Sequence, residues 1–221
     1  AIKNMRVKKK QLDVIKKYSL SFSQHLKLMK YCKRKKIKYL CSAFDLKSLN
    51  FLNKNKIDIF KVPSGEITNY PYLKLLGSFK KKIILSTGMA NLQEIKNALR
   101  ILVKNGTKRK NITILHCHTD YPTEPKNVNL LAMNELKKKF KIQVGLSDHT
   151  PGIEVAMAAV ALGAKIIEKH FTLSRKLIGP DHNASLIPDE LNNLVKGIRN
   201  IEVCLGNKIK TPSKKEKEIL K

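Results

Sequence analysis

Tryptophan is absent from these 221 residues, aromatic side chains make up 6%, and only six of the 45 basic residues are arginine. Nucleic-acid readers favour arginine for its bidentate fork and interleave aromatics for base stacking. Their scarcity argues against a nucleic-acid face, even at a formal net charge of +28. The excess is lysine, in clusters such as VKKKQ, CKRKKIK, SFKKK and ELKKKFK spread along the whole chain. We read it as a solvated basic surface whose field would help to draw in a small anionic substrate. No run approaches the roughly 18 apolar residues of a membrane span, and no charged-then-apolar signal segment opens the chain. Neither a membrane nor export is expected. Cys32, Cys41, Cys117 and Cys204 lack CxxC spacing and read as reduced thiols of a cytoplasmic protein.

What is present is a regular alternation. Short apolar, β-branched runs occur at KYLCSAF, DIFKVPS, KIILSTG, ITILHCHT, IQVGLSDH and KIIEKHF. Between them lie segments of helical periodicity, including NLQEIKNALRILVKNG and GIEVAMAAVALG, and IPDELNNLVKGIRNIEVCLG follows the last run. Asn91 stands three residues before Glu94, the spacing of a capping box, and Gly106 and Gly163 are placed to end helices. Strand-then-helix units with continuous apolar strands predict a parallel sheet covered by helices.

An open doubly wound sheet and a barrel both accommodate six such units. The strand ends favour the barrel. Ser42; Lys61 and Ser64; Ser86 and Thr87; Thr119 and Asp120; Ser147 and His149; and His170 close the six runs in turn. An open sheet places its site at one switch point, whereas a barrel gathers all its C-terminal strand ends around one mouth. A (β/α)8 barrel needs eight units, so two are expected to be missing from the front. The chain starts at Ala1, residues 1–36 read as a basic linker plus the helix SFSQHLKLMKYCKRKK, and GNKIKTPSKKEKEILK reads as an outgoing linker. The expectation is an internal fragment, with residues 1–206 a partial barrel domain and 207–221 a linker. Such a fragment is not expected to be active by itself.

Side chains alternate along a strand, so Ser147 and His149 share one face of theirs, as Ile166, Glu168 and His170 share one face of the next. If the strands are neighbours, the two imidazoles converge at the mouth and form a site for a divalent transition metal with positions left for substrate oxygens. Alternatively, each histidine merely hydrogen-bonds a neighbour. Serines at four strand ends together with Lys61 suit phosphate or carboxylate oxygens, although Ser and Thr are also common turn formers. PSGE offers Glu66 as an acid or base, and IGPDH is a loop that would aim Asp181 into the mouth; each is also readable as a turn. His116 reads as buried structure and His25 as a surface helix residue, while His118 stays unassigned. Thiol chemistry is not expected at Cys41 or Cys117.

The stretches FKVPSGEITNYPYL, IILSTGMANLQEI, ILHCHTDYPTEPKNVNLLAM, VGLSDHTPGIEVAMAAVALGAKIIEKHFTL and GPDHNASLIPDEL resemble the sialic acid synthase family, from about residue 11 to residue 212. That family comprises N-acetylneuraminate, legionaminate and pseudaminate synthases. The resemblance implies a TIM barrel that condenses phosphoenolpyruvate with an open-chain N-acylated mannosamine-type sugar, releasing phosphate and a nonulosonic acid. It implies that His149 and His170 hold a divalent metal, Mn2+ before Mg2+ or Co2+, which polarises the sugar aldehyde. Lys61, Ser42 and Ser64 match positions that hold the phosphate of phosphoenolpyruvate, and Ser86 and Ser147 match positions near its carboxylate. Glu66 matches an acid placed for proton transfer or water activation, and Tyr121 and Asp181 match sugar contacts, Asp181 also standing as a catalytic candidate. Thr119 stands where some members carry a phosphoenolpyruvate-contacting Asn, which leaves the acceptor sugar open. The resemblance further implies a homodimer in the full-length protein, and a C-terminal antifreeze-like domain and first two strands that are not in this sequence. Two other readings compete: a non-catalytic basic fragment that binds polyanions, and a metal-dependent barrel aldolase that acts without phosphoenolpyruvate.

Overall fold

The computed structural model describes residues 16–219, so residues 1–15 of the stretch read as a basic linker lie outside the described residues. Five strands, β1 (Ile59–Val62), β2 (Lys82–Ser86), β3 (Ile112–Cys117), β4 (Gln143–Asp148) and β5 (Ile167–Lys169), form one sheet in the order β1-β2-β3-β4-β5. Every neighbouring pair is parallel. A doubly wound sheet reverses its strand order at a switch point, and this one never does. The result is a curled parallel sheet, a half-barrel, as the polar strand ends predict.

The helices are α1 (Phe22–Arg34), α2 (Leu46–Lys54), α3 (Tyr70–Ser78), α4 (Leu92–Lys104), α5 (Ala132–Phe140), α6 (Glu154–Ala161), α7 (Pro188–Cys204) and the short α8 (Lys214–Ile219). Asn91 and Glu94 form the expected reciprocal capping box on α4. Gly106 and Gly163 adopt φ of +117° and +96° just past their helices, conformations that glycine enters without penalty. Lysine does the same job less comfortably elsewhere. Lys36, Lys56, Lys80 and Lys141 follow α1, α2, α3 and α5 with φ of 57°, 58°, 56° and 49°. A Cβ in that region crowds the next carbonyl.

The register sorts the side chains onto two faces. Phe60, Val62, Ile83, Leu85, Ile112, Ile114, Val144 and Leu146 belong to the main core, where the sheet meets Leu73, Leu76, Ile95, Leu99, Leu102, Met133 and Leu136 from the helices. The alternate residues Lys61, Ile84, Ser86, Thr113, Leu115, Cys117, Gly145, Ser147 and Glu168 line the other, concave face. One face buries hydrocarbon against helices, and the other collects the polar groups.

One expectation needs correction. KYLCSAF does not become a sixth strand: a single parallel bridge joins Ser42 to Lys61. It meets β1 on one side and no partner on the other among the described residues, and a ladder with one neighbour is easily reduced to one bridge. The stretch read as an outgoing linker contains the short helix Lys214–Ile219, none of whose residues is buried.

Candidate active site

Lys61, on β1, is only 8% exposed. A buried ammonium needs a partner, and Nζ finds one 3.1 Å away in Oε1 of Glu168 on β5. Ser147, on β4, donates to that same Oε1 at 2.6 Å. One carboxylate thus holds two groups that the sequence assigned to anion binding. Nothing in the sequence marks Glu168 as a site residue. In the sequence it is one member of an alternating strand, and its role depends on a lysine that only the fold brings near.

His149 and His170 each lie one residue beyond the end of their strands, on the concave face. Their ring centroids are 5.4 Å apart, nearly edge to face. Nδ1 of His149 sits 2.6 Å from the carbonyl oxygen of His118. A carbonyl only accepts, so Nδ1 carries the hydrogen and Nε2 keeps its lone pair. The Ser147 hydroxyl is 3.4 Å from Nε2, but its proton is already committed to Glu168. Burial, reinforced by His170, pulls the His149 pKa below the usual histidine value and keeps the ring neutral. His118, unassigned in the sequence, contributes through its backbone.

Tyr121 completes an aromatic group at the mouth, its ring 4.0 Å from that of His149 and 5.3 Å from that of His170. Burial pushes its hydroxyl up to about 12, so it is a protonated phenol at neutral pH. The loop after β5 does bring Asp181 to this mouth, with Oδ2 3.8 Å from Nδ1 of His170. Oδ1 of Asp181 is buried with no hydrogen-bond partner, and the same holds for the hydroxyl of Ser86. Unpaired buried oxygens are costly, which marks both as groups awaiting a ligand or water.

Ser64 accepts from the amide of Gly88 at 3.0 Å. A Cβ on Gly88 would stand 2.6 Å from Cγ2 of Thr119 and 2.9 Å from the Ser64 hydroxyl. Glycine is therefore what lets these two side chains close on the β2 turn. Burial pushes the Cys117 thiol up, in line with an inert cysteine, and its Sγ lies 3.5 Å from the His118 carbonyl oxygen.

Two candidates stand apart. Glu66 bonds through Oε2 to Asn69 at 2.6 Å, at the start of α3, and joins neither the Lys61–Glu168–Ser147 chain nor the histidine pair. Ser42 pairs with Lys61 through the backbone bridge but lines a separate cavity of about 650 Å³ beside α1, with His25 and Asp45. His25 lies on helix α1, as expected, and is half-buried, with Nδ1 2.5 Å from the Tyr39 hydroxyl. His116 is structural as expected, its Nε2 2.7 Å from the Val128 carbonyl oxygen, though only half-buried.

A curled parallel sheet whose concave face carries a buried lysine, hydroxyls and paired histidines at the strand ends defines the class: a barrel-type α/β protein with a polar site at the strands' C-terminal mouth. The chain belongs to the NeuB family, whose model matches residues 1–210, the family of the sialic acid synthases. It is 53% identical over 208 residues to the N,N'-diacetyllegionaminic acid synthase of Campylobacter jejuni, covering 94% of this chain and 62% of that protein. It is 41% identical over 208 residues to the enzyme of the same name from Legionella pneumophila, covering 93% and 58%. The crystal structure of the N-acetylneuraminic acid synthetase of Leptospira borgpetersenii, in complex with citrate, superposes with a TM-score of 0.88 at 34% identity, over 95% of this chain and 72% of that one. The chain thus spans about three fifths of the length of these curated relatives.

Proposed function

We propose that the full-length protein carrying this segment is a nonulosonic acid synthase with a (β/α)8 barrel. It condenses phosphoenolpyruvate with the open-chain form of an N-acylated mannosamine-type sugar. The new C–C bond joins the methylene carbon of phosphoenolpyruvate to the sugar aldehyde carbon, water adds at the enol carbon, and phosphate leaves. The observation that carries this reading is the Lys61–Glu168–Ser147 chain beside the paired histidines. A lysine and a serine hydroxyl already gripping a carboxylate are chemically suited to a substrate phosphate or carboxylate.

The residues at the mouth fit a divalent cation, of which Mn2+ is the first choice. Nε2 of His149 has its lone pair available, and the His170 ring lies 5.4 Å away, centroid to centroid. Among the described residues no group of three or more His, Cys, Asp or Glu is placed to hold a metal. His149 and His170 would therefore be the protein's ligands, with the remaining positions left to water and substrate oxygens. When bound, the cation would supply Lewis-acid polarisation of the aldehyde.

The chain's own residues do the rest. Lys61, Ser64 and Ser147 bind and orient the phosphoenolpyruvate anion, with Ser86, Thr119 and Ser42 assigned to the same substrate. Tyr121, held protonated, donates to the sugar, and Asp181 accepts from its hydroxyls. Glu66 keeps the role of proton transfer or water activation suggested by its matching position, although in this state it is tied to Asn69. The similarity to the diacetyllegionaminic acid synthases favours a diacetylated acceptor over N-acetylmannosamine.

The test is phosphate release by the full-length protein with phosphoenolpyruvate and each acceptor in turn. Release that requires both substrates supports the synthase reading. An aldolase would form the C–C bond without phosphoenolpyruvate. A polyanion binder would release no phosphate and would show salt-sensitive retention on nucleic acid.

A further inference from the structure

The face of β4 and β5 turned away from the mouth carries a polar cluster to which the reaction above assigns nothing. Asp148 and Lys169 are cross-strand partners at the last rung of the β4–β5 ladder. Their side chains are 1% and 4% exposed, with Nζ of Lys169 2.8 Å from Oδ2 of Asp148. Nζ also donates to the Thr150 carbonyl at 2.6 Å. The other carboxylate oxygen, Oδ1, accepts from the Thr150 amide at 2.9 Å and its hydroxyl at 2.7 Å.

The position of this cluster matters more than its strength. Each member stands immediately before a histidine in sequence, Asp148 before His149 and Lys169 before His170. Alternation puts the ion pair on one face and both imidazoles on the other. Lys169 grips the chain on both sides of His149, at Asp148 and at Thr150, while its own backbone leads directly into His170. The ladder stops at this rung, so no further backbone pairing of β4 with β5 fixes the histidines. A buried ion pair is seldom a better stabiliser than an apolar pair of the same volume. What it adds is direction, because both carboxylate oxygens and two of the three ammonium hydrogens have assigned partners.

We propose that the Asp148–Lys169 pair is a positioning device that sets the separation and orientation of His149 and His170 for a divalent cation. This rests on the metal reading of the histidine pair. Outer groups that orient metal ligands typically change metal affinity by about 10- to 100-fold when removed.

The test uses the full-length synthase and Mn2+ affinity measured by electron paramagnetic resonance without substrates, alongside the thermal melt and phosphoenolpyruvate binding in the presence of chelator. Asp148→Asn with Lys169→Met removes both charges together, so that no lone buried ion remains. The expected result is a cooperative melt, phosphoenolpyruvate affinity within about threefold of the parent, and Mn2+ affinity weaker by about 10-fold or more. Lys169→Arg with Asp148 intact, which keeps the charge and the donors, should hold Mn2+ affinity within a few-fold of the parent. Unchanged Mn2+ affinity in the folded double variant would overturn the proposal. So would loss of the cooperative melt, which would make the pair a stability element. If His149→Ala leaves Mn2+ binding intact in the otherwise unmodified protein, it is the metal reading itself that fails.

Discussion

Oε1 of Glu168 lies between Lys61 and Ser147, 3.1 Å from the ammonium and 2.6 Å from the hydroxyl. In this state a carboxylate of the protein occupies the groups that the proposed reaction needs for an anion. Phosphoenolpyruvate must then share those groups with Glu168 or displace it. Glu168→Gln removes the competing charge while keeping the shape. It should tighten binding of phosphoenolpyruvate to the metal-free protein about three- to tenfold, as read by titration calorimetry. Weaker binding would show that Glu168 organises the cradle and does not compete for it.

Lys61→Met keeps the hydrocarbon stem and removes the charge. A hydrogen bond to a charged group is worth roughly 1.5–3 kcal/mol, so phosphoenolpyruvate binding should weaken about ten- to a hundredfold. Acceptor-sugar binding should change little, because that substrate carries no anion for the lysine. Comparable losses for both substrates would point to a damaged fold and remove Lys61 from the cradle.

At Gly88 the prediction follows from space alone. An added Cβ would meet the Thr119 methyl at 2.6 Å and the Ser64 hydroxyl at 2.9 Å. Gly88→Ala should displace both side chains at a cost of about 1–3 kcal/mol, the usual range for overpacking. Urea unfolding should register that loss, together with weaker phosphoenolpyruvate binding. A variant with parental stability and affinity would mean that the β2 turn is freer than the packing indicates.

Lys141 closes α5 at φ 49°. Lys141→Gly relieves the left-handed strain, worth roughly 1–2 kcal/mol for a residue with a Cβ, and gives up a cation near a helix C-terminus, worth about 0.3–1 kcal/mol. The two ranges leave a net stabilisation of about 0–1.7 kcal/mol in chemical denaturation, with binding of both substrates unaltered. Destabilisation would show that the lysine's charge outweighs the strain.

Much of this architecture is legible in the residues, and the failures have physical causes. Continuous apolar runs alternating with helical periodicity give a parallel sheet, and polar residues at successive strand ends distinguish a curled sheet from an open one. Asn91 with Glu94 announces the start of α4 because capping is local chemistry. KYLCSAF has strand composition, yet pairing depends on neighbours, and it makes one bridge. Left-handed lysines at 36, 56, 80 and 141 contradict the habit of looking for glycine past a helix. At the site, the convergence of His149 and His170 was readable from strand alternation. Glu168 and the Asp148–Lys169 pair were not, because each is defined by cross-strand register and by distance through space.

The most direct measurement is the anomalous diffraction of full-length crystals soaked with Mn2+ and phosphoenolpyruvate. The expected result is one strong metal peak about 2.1 Å from Nε2 of His149 and from a ring nitrogen of His170. The phosphate should lie on Lys61, with the Glu168 carboxylate moved off it. A metal bound away from both histidines, or a phosphate bound away from Lys61, would contradict the assignment of this mouth as the site of condensation.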